Sequence, residues 1–319
     1  IRDSYDKGRD ISFRGEGEMI YRIEDADTGR FAGRTVDSKP PFFAVLGKPI
    51  GHSLSPVMQN AALSEIAKSD LSYKGAEYFA FEVAPENLKE ALDVLYGKNF
   101  AGVNLTIPHK EIAMSIVGEF DPYAAKVGAC NTLLKTPRGW KGYNTDGFGL
   151  ETAIKKAFGR DMKGSNVVVI GAGGAARAAA FHALFAGCKS LSLVNRSPQR
   201  LDKLSSDIRA AGFDCQARLA SENLDIPDSP IIINATSLGL KEGDPPCADF
   251  SAYPRGSVFF DMPYAKGRET SSVAAAKKCG IAACGGITML AWQGAKSLSI
   301  WTGKPLLGDI MLETLAAQK

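Results

Sequence analysis

The stretch Asn166-Val167-Val168-Val169-Ile170-Gly171-Ala172-Gly173-Gly174-Ala175-Ala176 joins an apolar run to a glycine turn and an alanine-rich segment. The apolar run is typical of a strand buried on both faces, and the alanines are typical of a helix. Between them, Gly171 allows a tight turn and Gly173 lets the backbone approach a phosphate group. Because the first N–H groups of the helix then face an anion, the stretch predicts a dinucleotide-binding α/β unit.

The next strand indicates which dinucleotide binds. It ends in Asn195-Arg196-Ser197, where NAD-binding proteins usually place an acid that bonds to the ribose hydroxyls. Arg196, with Arg200 one turn later, instead offers guanidinium groups for a 2′-phosphate. The sequence therefore favours NADP over NAD as cofactor. The predicted cofactor-binding residues of this region are Gly171, Ala172, Gly173, Gly174, Ala175, Asn195, Arg196, Ser197 and Arg200.

Outward from this unit, apolar runs alternate with helical stretches on both sides. Phe42-Phe43-Ala44-Val45-Leu46 predicts a buried strand, and residues 102–107 predict another. Helices are predicted at about 287–301 and 308–317, close to the end of the chain. Strands alternating with helices imply a parallel or mixed sheet covered by helices. Residues 1–39 are rich in Asp, Glu, Arg and Gly without apolar periodicity, so we expect an N-terminal extension or linker there.

Composition narrows the class of protein. The 319 residues suffice for two domains, and 45% hydrophobic with 23% charged residues is typical of globular proteins. A net charge of +3 gives no reason to expect nucleic acid or an anionic membrane as a partner. No apolar run approaches the roughly 18 residues that cross a bilayer. Six scattered cysteines form no ligand spacing, so we expect reduced thiols, no metal site and a cytoplasmic location, or a plastid in a plant or alga.

Four polar loops precede the glycine turn in a fixed order. They are Gly51-His52-Ser53-Leu54-Ser55-Pro56, Asn104-Leu105-Thr106-Ile107-Pro108-His109-Lys110, Gly128-Ala129-Cys130-Asn131-Thr132 and Gly142-Tyr143-Asn144-Thr145-Asp146-Gly147. Each loop taken singly is uninformative, and a surface ion pair would explain a Lys and an Asp. In this order, with Asn-x-Thr-x-Pro-x-Lys and Asn-Thr-Asp-Gly as the specific motifs, the sequence resembles the shikimate dehydrogenase family over about residues 42–317.

This resemblance implies an NADPH-dependent, reversible reduction of 3-dehydroshikimate to shikimate, a step of chorismate and aromatic amino-acid biosynthesis. It implies that Lys110 and Asp146 are the catalytic pair. Lysine is an ammonium ion at neutral pH, so Lys110 would stabilise the developing oxyanion and donate the proton, with Asp146 orienting it. Oxidation of shikimate needs that proton removed, so we expect its rate to rise with pH.

The resemblance also assigns binding residues. Ser53 and Ser55 match a carboxylate-binding pair, whose hydroxyls point the same way if the loop is extended. The other implied substrate-binding residues are Asn104, Thr106, Asn131, Tyr264 and Gln293, and those implied beside the nicotinamide are Thr236, Ser237, Gly286 and Met289. His109 stands where the family often has an aromatic residue. In an extended segment it would point away from Lys110, so we expect no catalytic role for it.

The fold class predicted from these patterns is α/β with two domains. A substrate-binding and catalytic domain takes residues 40–147 and 286–319, and a Rossmann-type NADP-binding domain takes residues 148–285, so that the C-terminal helices return to the first domain. Three alternatives stay open: a quinate/shikimate dehydrogenase, a catalytically inactive sensor of shikimate-pathway metabolites, and one piece of a larger shikimate-pathway polypeptide. We expect a monomer or homodimer.

Overall fold

Two sheets organise the chain in the computed structural model, which describes residues 20–24, 41–222, 225–239, 241–264 and 268–318. The first sheet has seven strands in the order β1-β3-β2-β4-β6-β7-β5. The strands are β1 (Ile20–Tyr21), β2 (Phe42–Gly47), β3 (Glu77–Glu82), β4 (Phe100–Leu105), β5 (Glu119–Phe120), β6 (Thr132–Thr136) and β7 (Gly139–Tyr143). β6 runs antiparallel to both β4 and β7, and the other neighbouring pairs are parallel.

The α-helices of this first unit from residue 41 onward include α1 (Ser55–Ser69), α2 (Leu88–Gly97), α3 (His109–Ile112) and α4 (Pro122–Val127). All six residues of β2 are buried, as the apolar run predicts for a central strand covered on both faces. On one face, Phe42 packs edge-on against Phe79 with 5.6 Å between ring centroids. On the other, Phe43 stacks on Trp301 at 5.2 Å, so a C-terminal helix covers that face.

The second sheet is entirely parallel, with six strands in the order β10-β9-β8-β11-β12-β13. Its strands are β8 (Asn166–Ile170), β9 (Ser190–Asn195), β10 (Gln216–Leu219), β11 (Ile231–Asn234), β12 (Val258–Asp261) and β13 (Ala282–Gly285). The strand order reverses between β8 and β11, which is the doubly wound arrangement that binds nucleotides beyond the carboxyl ends of its strands. The Rossmann-type prediction is confirmed.

Helices cover the second sheet and join the two units. They are α5 (Asp146–Phe158), α6 (Gly174–Phe185), α7 (Pro198–Ala210), α8 (Ser271–Lys278), α9 (Ile287–Thr302) and α10 (Gly308–Ala316). Trp301 of α9 and Met311 of α10 are buried in the core of the first unit, so the C-terminal helices return there as predicted. Leu150 of α5 lies in the core of the second unit. The boundary predicted at 147/148 thus falls inside a helix that both units share.

The predicted N-terminal extension is partly built into the first sheet. Ile20 and Tyr21 pair in parallel with β3, and Tyr21 and Ile23 are buried in the first core. Two residues are too short for the periodicity on which a strand prediction depends, which is why composition alone indicated a linker. The remaining residues of the predicted extension lie outside the described ranges. No helix in the described ranges has the length and apolar character needed to cross a bilayer.

Candidate active site

Lys110 and Asp146 form an ion pair at the centre of the site. Lys110 lies in α3 just after β4, and Asp146 is the first residue of α5. The lysine Nζ is 2.7 Å from Oδ2 of Asp146, and the side chains are 19% and 6% exposed. The ammonium therefore has access to a ligand, while the carboxylate is enclosed at the positive end of a helix, where an anion is favoured.

Asn131 holds the second carboxylate oxygen of Asp146. Its amide Nδ2 lies 2.8 Å from Oδ1 of Asp146 and 3.3 Å from Oε1 of Gln293. Its Oδ1 accepts the backbone N–H of Thr145 at 2.8 Å. The amide orientation is thus fixed, because only Nδ2 can donate to the carboxylate. A single cluster therefore contains Lys110, Asn131 and Asp146, predicted from three different loops, together with Gln293 of α9.

Asn104 lies beneath this cluster with both ends of its amide occupied. Its Oδ1 accepts the Tyr78 hydroxyl at 2.8 Å, and its Nδ2 donates to the backbone oxygen of Asn131 at 3.0 Å and to Ser297 at 3.0 Å. Asn104 is 7% exposed. In this geometry Asn104 supports the backbone of Asn131.

The serine loop departs from the extended conformation that the sequence analysis assumed. Ser53 closes a turn through its backbone N–H to Ile50, and Ser55 is the first residue of α1. The Ser53 hydroxyl oxygen accepts the backbone N–H of Ser55 at 3.3 Å, so the Ser53 side chain lies against the start of α1. Tyr264 is bonded to the backbone of Leu54 between them, and its burial raises the pKa of its phenol. Tyr264 therefore ties this loop to the second unit.

The end of the Asn-x-Thr-x-Pro-x-Lys motif is helical where an extended segment was expected. β4 ends at Leu105, half-buried Thr106 follows, and His109 and Lys110 lie together in α3. The extended conformation, from which His109 was expected to point away from Lys110, is therefore not found in this segment. His109 is fully buried with Nε2 3.0 Å from the backbone oxygen of Val83, and burial lowers its pKa.

Cys130 is the cysteine nearest to the catalytic pair. It is fully buried, and burial raises the pKa of its thiol to about 12. A thiol that stays protonated at neutral pH is a poor nucleophile. Burial therefore disfavours the reactive thiolate form of Cys130.

The glycine turn has the geometry that phosphate binding needs. Gly171 has a φ of +123°, a conformation that side chains disfavour. A Cβ on Gly173 would meet no atom within 4 Å, so open space lies in front of this residue. Ala172 and Ala175 are half-buried on either side of that space. The turn thus presents the N-terminus of α6 to an incoming anion.

The residues predicted for the 2′-phosphate lie at the carboxyl end of β9. Arg196 and Arg200 are exposed, so their guanidinium groups are free to reach a ligand. Asn195 donates from Nδ2 to the backbone oxygen of Ser197 at 2.9 Å, which shapes the turn between them. These side chains and the glycine turn flank β8 and β9 on the same edge of the sheet, and together they fit an NADP-type dinucleotide.

Loops after β11 and β13 complete the second unit's edge. Thr236 donates to Oδ1 of Asn234 at 2.8 Å, Ser237 is exposed, and Gly286 caps the start of α9. Asn234 in turn donates to Asp261 at 2.6 Å, and Thr270 holds the other carboxylate oxygen of Asp261.

Beneath this edge, burial raises the pKa of Asp261 to about 6. Met289, which the resemblance places at the nicotinamide, is 7% exposed and packs in the second core.

The two predicted sites face each other. Glu111 follows Lys110 in α3, and its Oε1 lies 3.1 Å from the point that a Cβ on Gly174 would occupy. Gly174 is the first residue of α6. Lys110 therefore lies one residue away from a direct contact with the helix at the predicted dinucleotide site.

Comparison with known proteins agrees with this geometry. Family models match three stretches: the shikimate dehydrogenase substrate binding domain at residues 45–133, shikimate / quinate 5-dehydrogenase at residues 152–239, and the shikimate 5′-dehydrogenase C-terminal domain at residues 286–315. The chain belongs to the shikimate dehydrogenase family. A shikimate dehydrogenase (NADP(+)) from Methanothrix thermoacetophila is 40% identical over 269 residues, covering 84% of this chain and 94% of that protein.

Two further family members extend the match. A shikimate dehydrogenase (NADP(+)) from Moorella thermoacetica is 38% identical over 268 residues, covering 82% of this chain and 88% of that protein. The crystal structure of the Thermus thermophilus shikimate 5-dehydrogenase in complex with NADP(H) and shikimate matches with a TM-score of 0.75 and 33% identity. That match covers 88% of this chain and 100% of the Thermus chain.

The family resemblance did not single out the residues that support the site from below. Tyr78, Thr132 and Ser297 bond to the Asn104 amide, and Asp261 anchors the loop at Asn234. Ser297 had one available signal, because it lies four residues after Gln293 and shares its helix face. Thr132 ends one of the four polar loops, next to Asn131. For Tyr78 and Asp261 the sequence offered no signal, since their partners come from distant segments.

Proposed function

We propose that this chain catalyses the NADPH-dependent, reversible reduction of 3-dehydroshikimate to shikimate. The observation that carries the proposal is the Lys110–Asp146 pair, held by Asn131 and facing the dinucleotide helix. The names of its relatives support the same reaction, and the Thermus homologue was crystallised with NADP(H) and shikimate.

The residues of the chain divide the chemistry between them. NADPH, when bound, supplies the hydride that reduces the ketone, and NADP⁺ accepts it in the reverse direction. Lys110 stabilises the negative charge that develops on the ketone oxygen and donates the proton from Nζ. Asp146 orients Nζ through the 2.7 Å ion pair. The reverse direction needs Lys110 to take that proton, so shikimate oxidation is expected to accelerate with rising pH.

Substrate binding is proposed to use the loops around this pair. Ser53 and Ser55 would bind the carboxylate, with Tyr264 holding their loop in place. Thr106, Asn131 and Gln293 would contact ring hydroxyls, while Asn104 supports Asn131.

Cofactor binding is proposed for the carboxyl edge of the second sheet. The pyrophosphate would lie on the glycine turn from Gly171 to Ala175, and the 2′-phosphate on Arg196 and Arg200 with help from Asn195 and Ser197. Thr236, Ser237, Gly286 and Met289 would flank the nicotinamide.

A cofactor–substrate matrix tests the proposal. The protein is mixed with shikimate or quinate and with NADP⁺ or NAD⁺, and the reduced nicotinamide is followed by absorbance. We expect the highest kcat/KM with shikimate and NADP⁺. Turnover with quinate and NAD⁺ alone would contradict the proposal. Calorimetric binding of shikimate without turnover in any of the four mixtures would instead identify a sensor.

Assembly and compartment form a finer part of the proposal. All six cysteines are unpaired, which suits a reducing compartment such as the cytoplasm. We propose a monomer or homodimer, measured by light scattering of the purified chain. A larger, stable oligomer would contradict it.

A further inference from the structure

Helix α4 is attached to the dinucleotide-binding helix α6 at both of its ends. Near its start, the Tyr123 hydroxyl lies 2.9 Å from Nδ1 of His182. Nε2 of His182 lies 3.0 Å from a carboxylate oxygen of Glu151, which only accepts, so Nε2 donates to it. At the other end of α4, Nε of Arg177 donates to the backbone oxygen of Val127.

The Arg177 guanidinium is held from several sides. Its Nη1 pairs with Asp207 of α7, and its plane lies 4.9 Å from the centroid of the Phe181 ring. Its side chain is only 17% exposed. Gly128 ends α4 with a φ of +68°, and a Cβ there would lie 2.9 Å from Nη2 of Arg177. The guanidinium therefore packs directly on the backbone at the end of α4.

Residues 128–131, which we call the connecting segment, lead from α4 to both catalytic residues. The N–H of Cys130 donates to the backbone oxygen of Lys110 at 3.0 Å. The side chain of Asn131 donates to Asp146 at 2.8 Å. The connecting segment thus fixes Lys110 and Asp146 relative to each other, and its upstream end is fixed by α6.

We propose that Arg177 is a positioning residue for the reaction, joining the dinucleotide-binding helix to the segment that holds Lys110 and Asp146. The inference rests on the proposed function. Arg177 contacts neither catalytic side chain and acts through α4 and the connecting segment. Because a misplacement of about 1 Å at reacting groups costs roughly 10²-fold in rate, a loosened connecting segment has a measurable effect.

A double-mutant cycle tests this route. Arg177→Gln is made in the wild-type chain and in Lys110→Ala, and kcat for shikimate oxidation is measured at saturating shikimate and NADP⁺. We expect Arg177→Gln to lower kcat by about 10- to 100-fold in the wild-type chain. In the Lys110→Ala background we expect less than about a threefold further loss, because there is no lysine left to position.

Two further variants complete the test: Asp207→Asn is a control, and Tyr123→Phe can take the place of Arg177→Gln. Asp207→Asn removes the ion-pair partner of Arg177 within the second unit but leaves the bond to Val127, and we expect kcat within about twofold of wild type. Tyr123→Phe removes a single hydroxyl from the other end of α4. We expect it to lower kcat several-fold in the wild-type background only, and it replaces Arg177→Gln in the cycle if that variant does not fold.

The outcomes separate the two proposals. Equal losses of kcat in both backgrounds, or no loss in the wild-type chain, would overturn the role of Arg177 while leaving the proposed function intact. A wild-type chain without turnover in any cofactor–substrate mixture would overturn the proposed function, and the positioning role with it.

Discussion

Two regions of the molecule differ in how their side chains are supported. One is the predicted catalytic cluster around Asp146 with Asn104 beneath it, and the other is the set of predicted phosphate-binding residues of the second unit. Asp146, Asn131 and Asn104 are nearly buried, and both polar atoms of each of these side chains have a hydrogen-bond or ion-pair partner. Arg196 and Arg200 are exposed at the end of a strand. Buried polar groups are costly unless every partner is present, whereas exposed charges act almost independently. The first region should therefore respond to mutation as a unit, and the second residue by residue.

The largest effect is expected from Lys110→Ala. Loss of the proton donor should lower kcat by about 10²- to 10⁴-fold, because general acid–base help is typically worth that much. The KM for shikimate should change by only a few-fold, since Asn131 and Gln293 remain. Steady-state kinetics measures both, and a loss that appears mainly in KM would mean that Lys110 binds substrate instead.

Asp261 provides a test in the second unit, because burial raises the pKa of its carboxyl group. Its folded-state pKa is about 6, above the value of about 3.9 for an unfolded aspartate. The folded state therefore holds the extra proton between these values, and the stability due to this group is present below pH 4 and is lost as pH rises through 6. Asp261→Asn removes this titration.

The wild-type chain loses this contribution between pH 4 and pH 7, whereas Asp261→Asn has none to lose. Over this range we expect the free energy of unfolding of Asp261→Asn to rise by about 2–3 kcal/mol relative to that of wild type, because each pH unit between the two pKa values contributes about 1.4 kcal/mol. Urea unfolding of both chains at the two pH values measures the difference. Parallel pH profiles for the two chains would count against a raised pKa at this position.

Asn104→Leu compares the two regions directly, with Asn195→Leu as its matched control. Asn104→Leu removes the buried bonds of Asn104 to Tyr78, Ser297 and the backbone oxygen of Asn131, so the free energy of unfolding should fall by about 1–3 kcal/mol. Asn195 has one local bond, to Ser197, and its replacement should cost less than about 1 kcal/mol. Chemical denaturation measures both, and equal costs would remove the distinction between the regions.

Arg196→Gln should have the smallest and most specific effect. Loss of a charged hydrogen bond to the 2′-phosphate should raise the KM for NADP⁺ by about 10-fold or more, with kcat and the KM for shikimate unchanged. Arg200→Gln, one turn further along, should raise it by less than about threefold. The KM values for NADP⁺ and NAD⁺ are measured for each variant. If Arg196→Gln raises both KM values equally, Arg196 does not bind the 2′-phosphate.

Much of the fold followed from patterns that neighbouring residues create. The apolar strand before Gly171 and the alanines after it predicted β8 and α6 to within one or two residues. The order of the polar loops placed Lys110, Asn131 and Asp146 in one candidate site, and Asp146 is bonded to both of the others. The antiparallel pair β6 and β7, the edge strand at Ile20–Tyr21 and the helical position of His109 were not predicted, because short segments carry too few residues to reveal a period.

The sequence by itself determined that an α/β dinucleotide unit follows a first α/β unit, and that Lys110, Asp146 and Arg196 are candidates for chemistry and cofactor choice. Apolar runs, glycine conformations and the order of motifs depend on residues that are close in the sequence, so they can be recognised from the sequence alone. Only the tertiary structure decided what holds these residues. Ser297 bonds to Asn104 across 193 positions, and Arg177 reaches Val127 across 50. Such partners are brought together by packing of whole elements, which no local pattern encodes.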